Sequence, residues 1–318
     1  MRYSSLGKSG LQVSVVGLGC NNFGGRLDVD ATRAVVDAAI DVGITLFDTS
    51  DTYGGGGGSE RALGEVLGAR RDQVVLATKF GGRGVDLGYG PAAGAKGGRA
   101  YIRRAVTESL RRLRTDYLDL YQQHVPDPLT PVEETLAALH ELVTEGKVRY
   151  LGHSNFSGWQ LADAAHLARG NGLTPFVSAQ NHWSLLERAA ETDLVPAARH
   201  FGVGVLPFFP LANGLLTGKV RQGQAIPAGT RLAGREGYVT QEKLAKVEAL
   251  IAWAHEHGVT VLDVAISALA AQPGCSSVIA GATSAEQVKA NAATSGWIPS
   301  AEELAEIDRI VPPAAAEG

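Results

Sequence analysis

The chain has 318 residues and a formal net charge of -4, a balance that provides no basic field for nucleic acid. No apolar run approaches the roughly 20 residues that span a bilayer, and the N-terminal segment lacks the apolar core of a signal peptide. Two cysteines, Cys20 and Cys275, make neither a disulfide framework nor a four-ligand zinc set, so we expect a cytoplasmic protein without a metal site.

Short apolar runs alternate with helical patterns along the whole chain. A turn at residues 7–10 predicts an N-terminal hairpin. Strand-like runs are predicted at 13–19, 46–48, 74–80, 117–124, 148–154, 176–181, 203–209 and 277–282. Helices are predicted at 30–43, 59–69, 100–114, 131–145, 158–169, 190–201, 241–257, 260–271, 284–292 and 301–310. Eight runs that are apolar on both faces, without a linker between them, favour an α/β fold: a single (β/α)8 TIM-barrel domain over residues 1–318.

Four chemically complementary side chains lie at or just beyond the ends of three successive predicted strands. Asp48 and Tyr53 follow one strand, Lys79 ends the next, and His124 ends the third. The carboxyl ends of strands are where α/β proteins place their chemistry. A buried carboxylate needs a cationic partner, so Asp48 predicts a contact with Lys79. Spacing alone leaves a purely structural role for these residues equally open.

Two glycine-rich segments interrupt the alternation, at 81–99 and 212–240. Both follow strands and are therefore expected on the carboxyl face of the barrel, beside Asp48 and Lys79. Long loops inside a compact domain are usually functional, so we predict functional lids or mobile loops; solvated spacers are the alternative.

Three segments partly match known dinucleotide, phosphate or zinc motifs, but each match is incomplete. The segment 17–22 lacks the third glycine and the helix of a dinucleotide fingerprint, and glycines 54–58 lack the ending of a phosphate-binding P-loop. His255 and His257 lack the spacing of a helical zinc site.

Several segments resemble the aldo-keto reductase superfamily, in the branch that includes potassium-channel β-subunits. They are LFDTSDTYGG (46–55), LATKF (76–80), LRTDYLDLYQQH (113–124) and EGKVRYLGHSN (145–155). The resemblance implies a barrel that reduces aldehydes or ketones to alcohols by hydride transfer from NAD(P)H. It also implies a catalytic tetrad in which Tyr53 is the proton donor, Lys79 lowers the pKa of Tyr53, Asp48 holds Lys79, and His124 orients the carbonyl.

The same resemblance implies a set of cofactor contacts. Ser154, Asn155 and Gln180 would bind the nicotinamide carboxamide, and Phe208 stands where relatives stack a tyrosine on the nicotinamide. Lys219 would contact the pyrophosphate. The full predicted set is Gly19, Asn21, Ser154, Asn155, Gln180, Phe208, Pro210, Leu211, Gly214, Leu216, Lys219, Gly281, Thr283, Gln287 and Asn291.

The resemblance favours NADP as the cofactor. Many relatives hold its 2′-phosphate with a lysine or arginine at the positions of Gly281, Thr283 or Gln287, and this chain has none there. We therefore expect NADPH to be preferred and NADH to be usable.

The substrate is expected to be a small-molecule carbonyl compound, with no nucleic-acid or membrane partner, while the oligomeric state stays open. Aromatic candidates for an apolar substrate pocket are Phe23, Phe80, Tyr89, Trp183 and Trp297. Two other functions remain: a barrel lyase with Lys79 as a Schiff-base nucleophile, and a cofactor-binding regulatory protein.

Overall fold

A computed structural model describes residues 1–227, 229–233 and 235–313. The predicted domain, 1–318, ends in residues 314–318, and the predicted loop 212–240 contains positions 228 and 234; these seven residues lie outside the described ones. One domain over the full range stays a prediction.

Eight parallel strands form the central sheet, which runs in the spatial order 278–281, 16–19, 46–48, 75–80, 118–123, 148–154, 176–180 and 204–205. Isolated bridges from Val205 to Cys275 and from Phe208 to Ile279 join its two edges. This curled sheet with surrounding helices confirms the predicted (β/α)8 barrel. The strands are β1 (Tyr3–Ser5), β2 (Gln12–Ser14), β3 (Val16–Gly19), β4 (Leu46–Asp48), β5 (Val75–Phe80), β6 (Leu118–Gln123), β7 (Val148–Ser154), β8 (Phe176–Gln180), β9 (Gly204–Val205) and β10 (Val278–Gly281).

Helices surround the barrel and bury their apolar sides against it. They are α1 (Val29–Asp41), α2 (Tyr53–Gly56), α3 (Gly58–Leu67), α4 (Arg99–Leu113), α5 (Val132–Thr144), α6 (Gly158–Gly170), α7 (Leu194–Phe201), α8 (Gln241–Glu256), α9 (Val261–Ala270), α10 (Ala285–Ala293) and α11 (Ala301–Ile310). Side-chain caps begin several of them, including Asp28 at α1 and Ser284 at α10. In the described ranges, no helix combines the length and apolarity needed to cross a membrane.

The predicted N-terminal hairpin is present and closes one end of the barrel. Strands β1 and β2 pair antiparallel, and Leu6 at their turn is fully buried. Leu6 packs in one cluster with Leu46, Leu120 and Leu206, which come from three barrel strands or their ends. The barrel interior is therefore a packed core at this end, and open space is left to the opposite, carboxyl end.

The seventh predicted strand, 203–209, forms strand structure only at Gly204–Val205. Pro207 has no N–H for a ladder, so only isolated bridges form at Phe208. The chain leaves the sheet at Phe209, which adopts a left-handed backbone with φ of 54°. The left-handed backbone continues at Ala212 and Asn213, with φ of 47° and 59°. Such strain clusters at functional sites, and this segment begins the second glycine-rich loop.

Candidate active site

A buried ion pair lies at the carboxyl ends of β4 and β5. Lys79 Nζ donates to Asp48 Oδ2 at 2.7 Å and to the carbonyl oxygen of Thr49 at 2.8 Å, and the Lys79 side chain is completely buried. Burial lowers the pKa of Lys79, but the Asp48 carboxylate and Tyr53 outweigh it and raise that pKa overall. Lys79 is therefore a fixed ammonium with its hydrogens directed at three oxygens.

The second oxygen of Asp48 is held by two amides. Gln122 Nε2 donates to Asp48 Oδ1 at 3.1 Å, and Gln180 Nε2 donates to the same oxygen at 2.9 Å. The carboxylate thus has partners on both oxygens, as a buried charge requires. Gln180, a predicted cofactor contact, uses its amide nitrogen here and keeps its Oε1 atom free of protein donors among the described residues.

Tyr53 is brought to the pair by a short turn of glycines. Gly54, Gly55, Gly56 and Gly57 all have φ between 67° and 89°, a conformation that favours glycine. Lys79 Nζ donates to Tyr53 Oη at 3.5 Å. Burial raises the pKa of Tyr53; Lys79 opposes this rise and Asp48 adds to it. The lowering of the Tyr53 pKa expected from Lys79 is outweighed mainly by burial, to which the Asp48 carboxylate adds.

His124 follows β6 and faces Tyr53, with ring centroids 5.8 Å apart in an edge-on arrangement. Burial lowers the pKa of His124 to about 3, and Lys79 and Lys96 add to the effect. The imidazole is therefore neutral at physiological pH. Its Nδ1 atom lies 3.1 Å from Ser50 Oγ, so the opposite nitrogen, Nε2, is left for the cavity.

A cavity of about 890 Å³ opens at this end of the barrel, and Asp48, Tyr53 and His124 line it. A volume of this size suits a dinucleotide or drug-sized ligand. Of the predicted cofactor contacts, the structure brings together on its wall Gly19, Asn21, Ser154, Asn155, Gln180, Phe208, Pro210, Leu211, Gly214, Lys219, Gly281, Thr283, Gln287 and Asn291. Leu216 is the exception, since it is fully buried in the apolar cluster against α8 and α9.

The aromatic residues proposed for a substrate pocket lie elsewhere. Phe23 and Phe80 are buried in the layer between sheet and helices, and Trp183 donates to Glu191 at 2.8 Å. Trp297 packs on Trp253, and the Tyr89 side chain belongs to a separate cavity of about 370 Å³. That expectation is wrong because each of these rings fills a packing position.

Sequence reasoning missed two arginines on the cavity wall, Arg26 and Arg231. Arg231 Nη2 donates to Asn21 Oδ1 and Asn22 Oδ1, each at 3.2 Å, and its guanidinium lies 5.5 Å from the Phe209 ring centroid. Arg26 Nη2 donates to the carbonyl oxygen of Gly229 at 2.5 Å. For Arg231 the available signal was an arginine inside the glycine-rich segment 212–240, whereas Arg26 lies outside both glycine-rich segments.

The cavity wall is electropositive. Arg26, Lys219 and Arg231 contribute cations, whereas Asp48 is the one carboxylate on that wall among the described residues, and it is paired with Lys79. Within the described ranges, none of the three cations has a carboxylate oxygen within 4.0 Å. The described residues also contain no group of three or more potential metal ligands. The site therefore favours an anionic ligand.

The chain is similar to known proteins along most of its length. A family model described as the aldo/keto reductase family matches residues 15–312. An uncharacterized oxidoreductase of Bacillus subtilis (strain 168) is 39% identical over 296 residues, which cover 91% of this chain and 89% of that protein. Fold, site and matches together define a barrel oxidoreductase of the carbonyl-reducing kind. The chain belongs to the aldo/keto reductase family.

Two further relatives show the range of proteins that this sequence resembles. The L-glyceraldehyde 3-phosphate reductase of Escherichia coli (strain K12) is 35% identical over an aligned length of 326, gaps included, and the match covers 97% of this chain and 92% of that protein. A probable voltage-gated potassium channel subunit beta of Arabidopsis thaliana is 36% identical over 304 residues, and the match covers 92% of this chain and 90% of that protein.

Proposed function

We propose that this protein reduces aldehydes or ketones to alcohols with NADPH, and that Tyr53 donates the proton. The observation that carries the proposal is the line of contacts from Asp48 through Lys79 to Tyr53 Oη, with His124 facing the same cavity. When bound, the dinucleotide would supply the hydride. The protein supplies the acid, the orientation of the carbonyl and the electrostatic environment.

The strand-end amides fit a nicotinamide carboxamide. Asn155 Nδ2 donates to the His124 carbonyl at 2.9 Å and to Ser154 Oγ at 3.0 Å, which leaves Asn155 Oδ1 as an acceptor. Gln180 Oε1 is a second acceptor, because the Gln180 nitrogen is held by Asp48. A carboxamide brings two N–H donors, and these two oxygens would take them. Phe208 offers an apolar ring face to the nicotinamide.

The three cations on the cavity wall fit the phosphates of the cofactor. Lys219 and the two arginines, Arg26 and Arg231, would neutralise the pyrophosphate and an additional 2′-phosphate. Thr283 and Gln287 are hydrogen bonded to each other, with Thr283 N 2.9 Å from Gln287 Oε1, and they supply no charge. NADPH is therefore favoured through loop arginines rather than through the strand-end positions that relatives use.

The tetrad residues each have one task in this mechanism. Tyr53 is protonated at neutral pH because its pKa is raised, so it holds the proton that the developing alkoxide needs. A neutral His124 can donate one hydrogen bond to the carbonyl oxygen and orient it. Lys79 lies beside Tyr53 Oη and stabilises the phenolate that forms when the proton leaves, while Asp48 fixes Lys79.

The test is the Tyr53→Phe variant. We expect turnover to fall by about 10²–10⁴-fold, the usual contribution of a positioned acid, while NADPH still quenches tryptophan fluorescence at a similar concentration. Tyr3→Phe is the control, since Tyr3 is an exposed tyrosine of the hairpin outside the cavity. Turnover of Tyr53→Phe close to the wild-type value would refute the proton-donor role.

The lyase alternative fits the structure poorly. A Schiff-base lysine must reach substrate as a neutral amine, whereas Lys79 is fully buried, paired with Asp48 and not on the cavity wall. Borohydride should therefore fail to trap a carbonyl compound on the protein. We further propose a cytoplasmic location, consistent with two free cysteines, Cys20 and Cys275.

A further inference from the structure

A line of polar side chains leads from the cavity back to a buried carboxyl group. His124 Nδ1 lies 3.1 Å from Ser50 Oγ, and Ser50 Oγ lies 3.2 Å from Asp51 Oδ1. Asp51 is fully buried, and its other oxygen, Oδ2, has no hydrogen-bond partner in the described part of the chain. The proposed mechanism uses His124 but gives no task to Ser50 or Asp51.

Ser50 Oγ has more polar neighbours than one hydroxyl can hydrogen bond at the same time. Its Oγ atom lies near Asp51 Oδ1, near His124 Nδ1, 3.0 Å from Thr52 Oγ1 and 3.3 Å from Thr52 N. A hydroxyl has one hydrogen and two lone pairs. The Thr52 N–H can only donate, so it occupies one lone pair. One hydrogen and one lone pair remain for the other neighbours.

The protonation state of Asp51 therefore determines the direction of the hydrogen bond between Ser50 and His124. An ionised Asp51 takes the Ser50 hydrogen in a charge-assisted bond, and His124 Nδ1 can then contact Ser50 only as a donor. A protonated Asp51 donates from Oδ1 into the free lone pair, and His124 Nδ1 can contact Ser50 only as an acceptor. A neutral imidazole has one hydrogen, so the two cases place it on opposite nitrogens.

Both states of Asp51 are populated near neutral pH. Burial raises the pKa of Asp51 to about 7 and the nearby Glu60 adds to this, while Ser50, Arg112 and Lys96 oppose it. The titratable and charged groups around Asp51 come from α3, α4, β6 and the loop after β5. They are Glu60, Tyr89, Lys96, Tyr101, Arg112 and Tyr121.

We propose that Asp51 is a positioning residue that selects the tautomer of His124 through Ser50. With Asp51 protonated, the imidazole hydrogen sits on Nε2 and can be donated to a carbonyl in the cavity. With Asp51 ionised, the hydrogen sits on Nδ1 and Nε2 is bare. This inference rests on the proposed function, in which His124 orients the carbonyl.

The change between the two states releases one proton. The Asp51 hydrogen passes to Ser50, the Ser50 hydrogen passes to His124 Nδ1, and the Nε2 hydrogen leaves to solvent in the cavity. Asp51 ends as a carboxylate, while Ser50 and His124 stay neutral. The reductase is therefore expected to lose its carbonyl-orienting donor as pH rises through the pKa of Asp51.

The test reads the tautomer directly. Protein labelled with ¹⁵N-histidine is titrated from pH 5.5 to 8.5, and long-range ¹H–¹⁵N spectra identify the protonated nitrogen of His124; a His124→Gln sample assigns its signals. We expect Nε2–H at low pH and Nδ1–H at high pH, with the midpoint near 7. One tautomer throughout this range in the wild-type protein would overturn the proposal.

Two conservative variants distinguish the Asp51–Ser50–His124 relay, that is, the coupling of Asp51 protonation to the His124 tautomer through Ser50, from other pH effects. Asp51→Asn cannot titrate, and Ser50→Ala breaks the link while Asp51 remains, so each should show one His124 tautomer at both ends of the range. Circular dichroism and thermal melting establish that the variants are folded. A tautomer switch that persists in Ser50→Ala would also overturn the proposal.

Kinetics give the functional readout. We expect kcat/KM for carbonyl reduction to fall about tenfold per pH unit above the Asp51 pKa, and to be level over this range in Asp51→Asn. A level wild-type profile together with an observed tautomer switch would show that His124 does not orient the carbonyl, which contradicts the proposed function but not the relay. An absent switch together with normal turnover would contradict the relay alone.

Discussion

At the residue scale, His153 shows how the burial of one side chain can make folding stability depend on pH. It lies in β7 with both ring nitrogens buried and without hydrogen-bond partners among the described residues. Its ring packs 4.4 Å from the Phe156 centroid and 5.2 Å from the Phe176 centroid. Burial lowers the pKa of His153 to about 3, so the folded protein holds this imidazole neutral.

The sign of the resulting stability change follows from linkage. Below pH 6.5, the ordinary pKa of histidine, the unfolded chain takes up a proton at this position and the folded chain does not until about pH 3. Folding stability is therefore lost as pH falls through that window. We expect His153→Leu to gain about 2 kcal/mol relative to the wild-type protein between pH 7 and pH 5.

Urea unfolding of both proteins at pH 7 and pH 5 measures this difference. The comparison between the two pH values cancels the change in packing that leucine brings. A difference between His153→Leu and the wild-type protein that is equal at both pH values would show that His153 titrates normally.

Also at this scale, the close approach of Asp48, Lys79 and His124 could be predicted from sequence, because each lies at or next to the end of a strand. Asp48, Lys79 and His124 follow apolar runs, and parallel strands bring such ends together. Arg231 could not be predicted in this way, because its position depends on the path of a long loop and on a contact with Phe209. The burial of Leu216 likewise depends on α8 and α9, which follow it in the chain.

At the element scale, most helix and strand boundaries were predicted to within a few residues, since apolar periodicity and caps are local. The seventh strand was overestimated because its apolar residues continue past Val205, whereas Pro207 cannot donate to a ladder and only isolated bridges form at Phe208. The predicted helix 190–201 begins only at Leu194, after a separate 3₁₀ turn at Ala189–Glu191. Turn geometry and side-chain competition are not visible in hydrophobic periodicity.

The hairpin turn gives a prediction at the same scale. Gly7 has φ of 58°, and a Cβ atom there would lie 2.5 Å from the carbonyl oxygen of Gly202 and 2.6 Å from the nitrogen of Gly204. Gly7→Ala therefore combines backbone strain with overlap against β9. We expect it to lower the free energy of unfolding by about 3 kcal/mol.

Gly10→Ala is the matched control, because the same turn offers room there. Its Cβ would lie 3.7 Å from Tyr150 Oη, an ordinary contact. Denaturant unfolding of the two variants should separate them clearly. Equal stability would mean that the hairpin is not seated against β9.

At the scale of the whole molecule, the electrostatics of the cavity differ from those of the chain. The net charge of -4 would repel an anionic cofactor at long range, yet Arg26, Lys219 and Arg231 make the cavity wall positive. Local attraction must therefore carry the binding of phosphate groups. Under the proposed function NADPH, with one phosphate more than NADH, would gain more from this attraction.

This contrast predicts a salt dependence. We expect NADPH to bind more tightly than NADH at low ionic strength, and the ratio of their dissociation constants to shrink as salt is raised from 0.01 to about 0.5 M, since screening weakens charge contacts. Arg231→Gln should reduce the same ratio in low salt, whereas Arg309→Gln, on α11 and outside the cavity wall, should not. A dissociation constant for NADH equal to or below that for NADPH would contradict the cofactor preference.

The double use of Asp48 restricts how this molecule can change. One carboxylate holds Lys79 beside Tyr53, the proposed acid, and also holds the amide of Gln180 beside the proposed nicotinamide site. A substitution at Gln180 would disturb the proposed proton transfer as well as cofactor affinity. A change of cofactor preference at this position would therefore also lower the catalytic rate. Because the side chains that hydrogen bond to the Asp48 carboxylate all lie in barrel strands within the described residues, a change at a loop residue such as Arg231 would affect ligand binding alone. Variation in cofactor and substrate preference should therefore accumulate at positions such as Arg26, Phe209 and Arg231, while Asp48, Gln122 and Gln180 change only together.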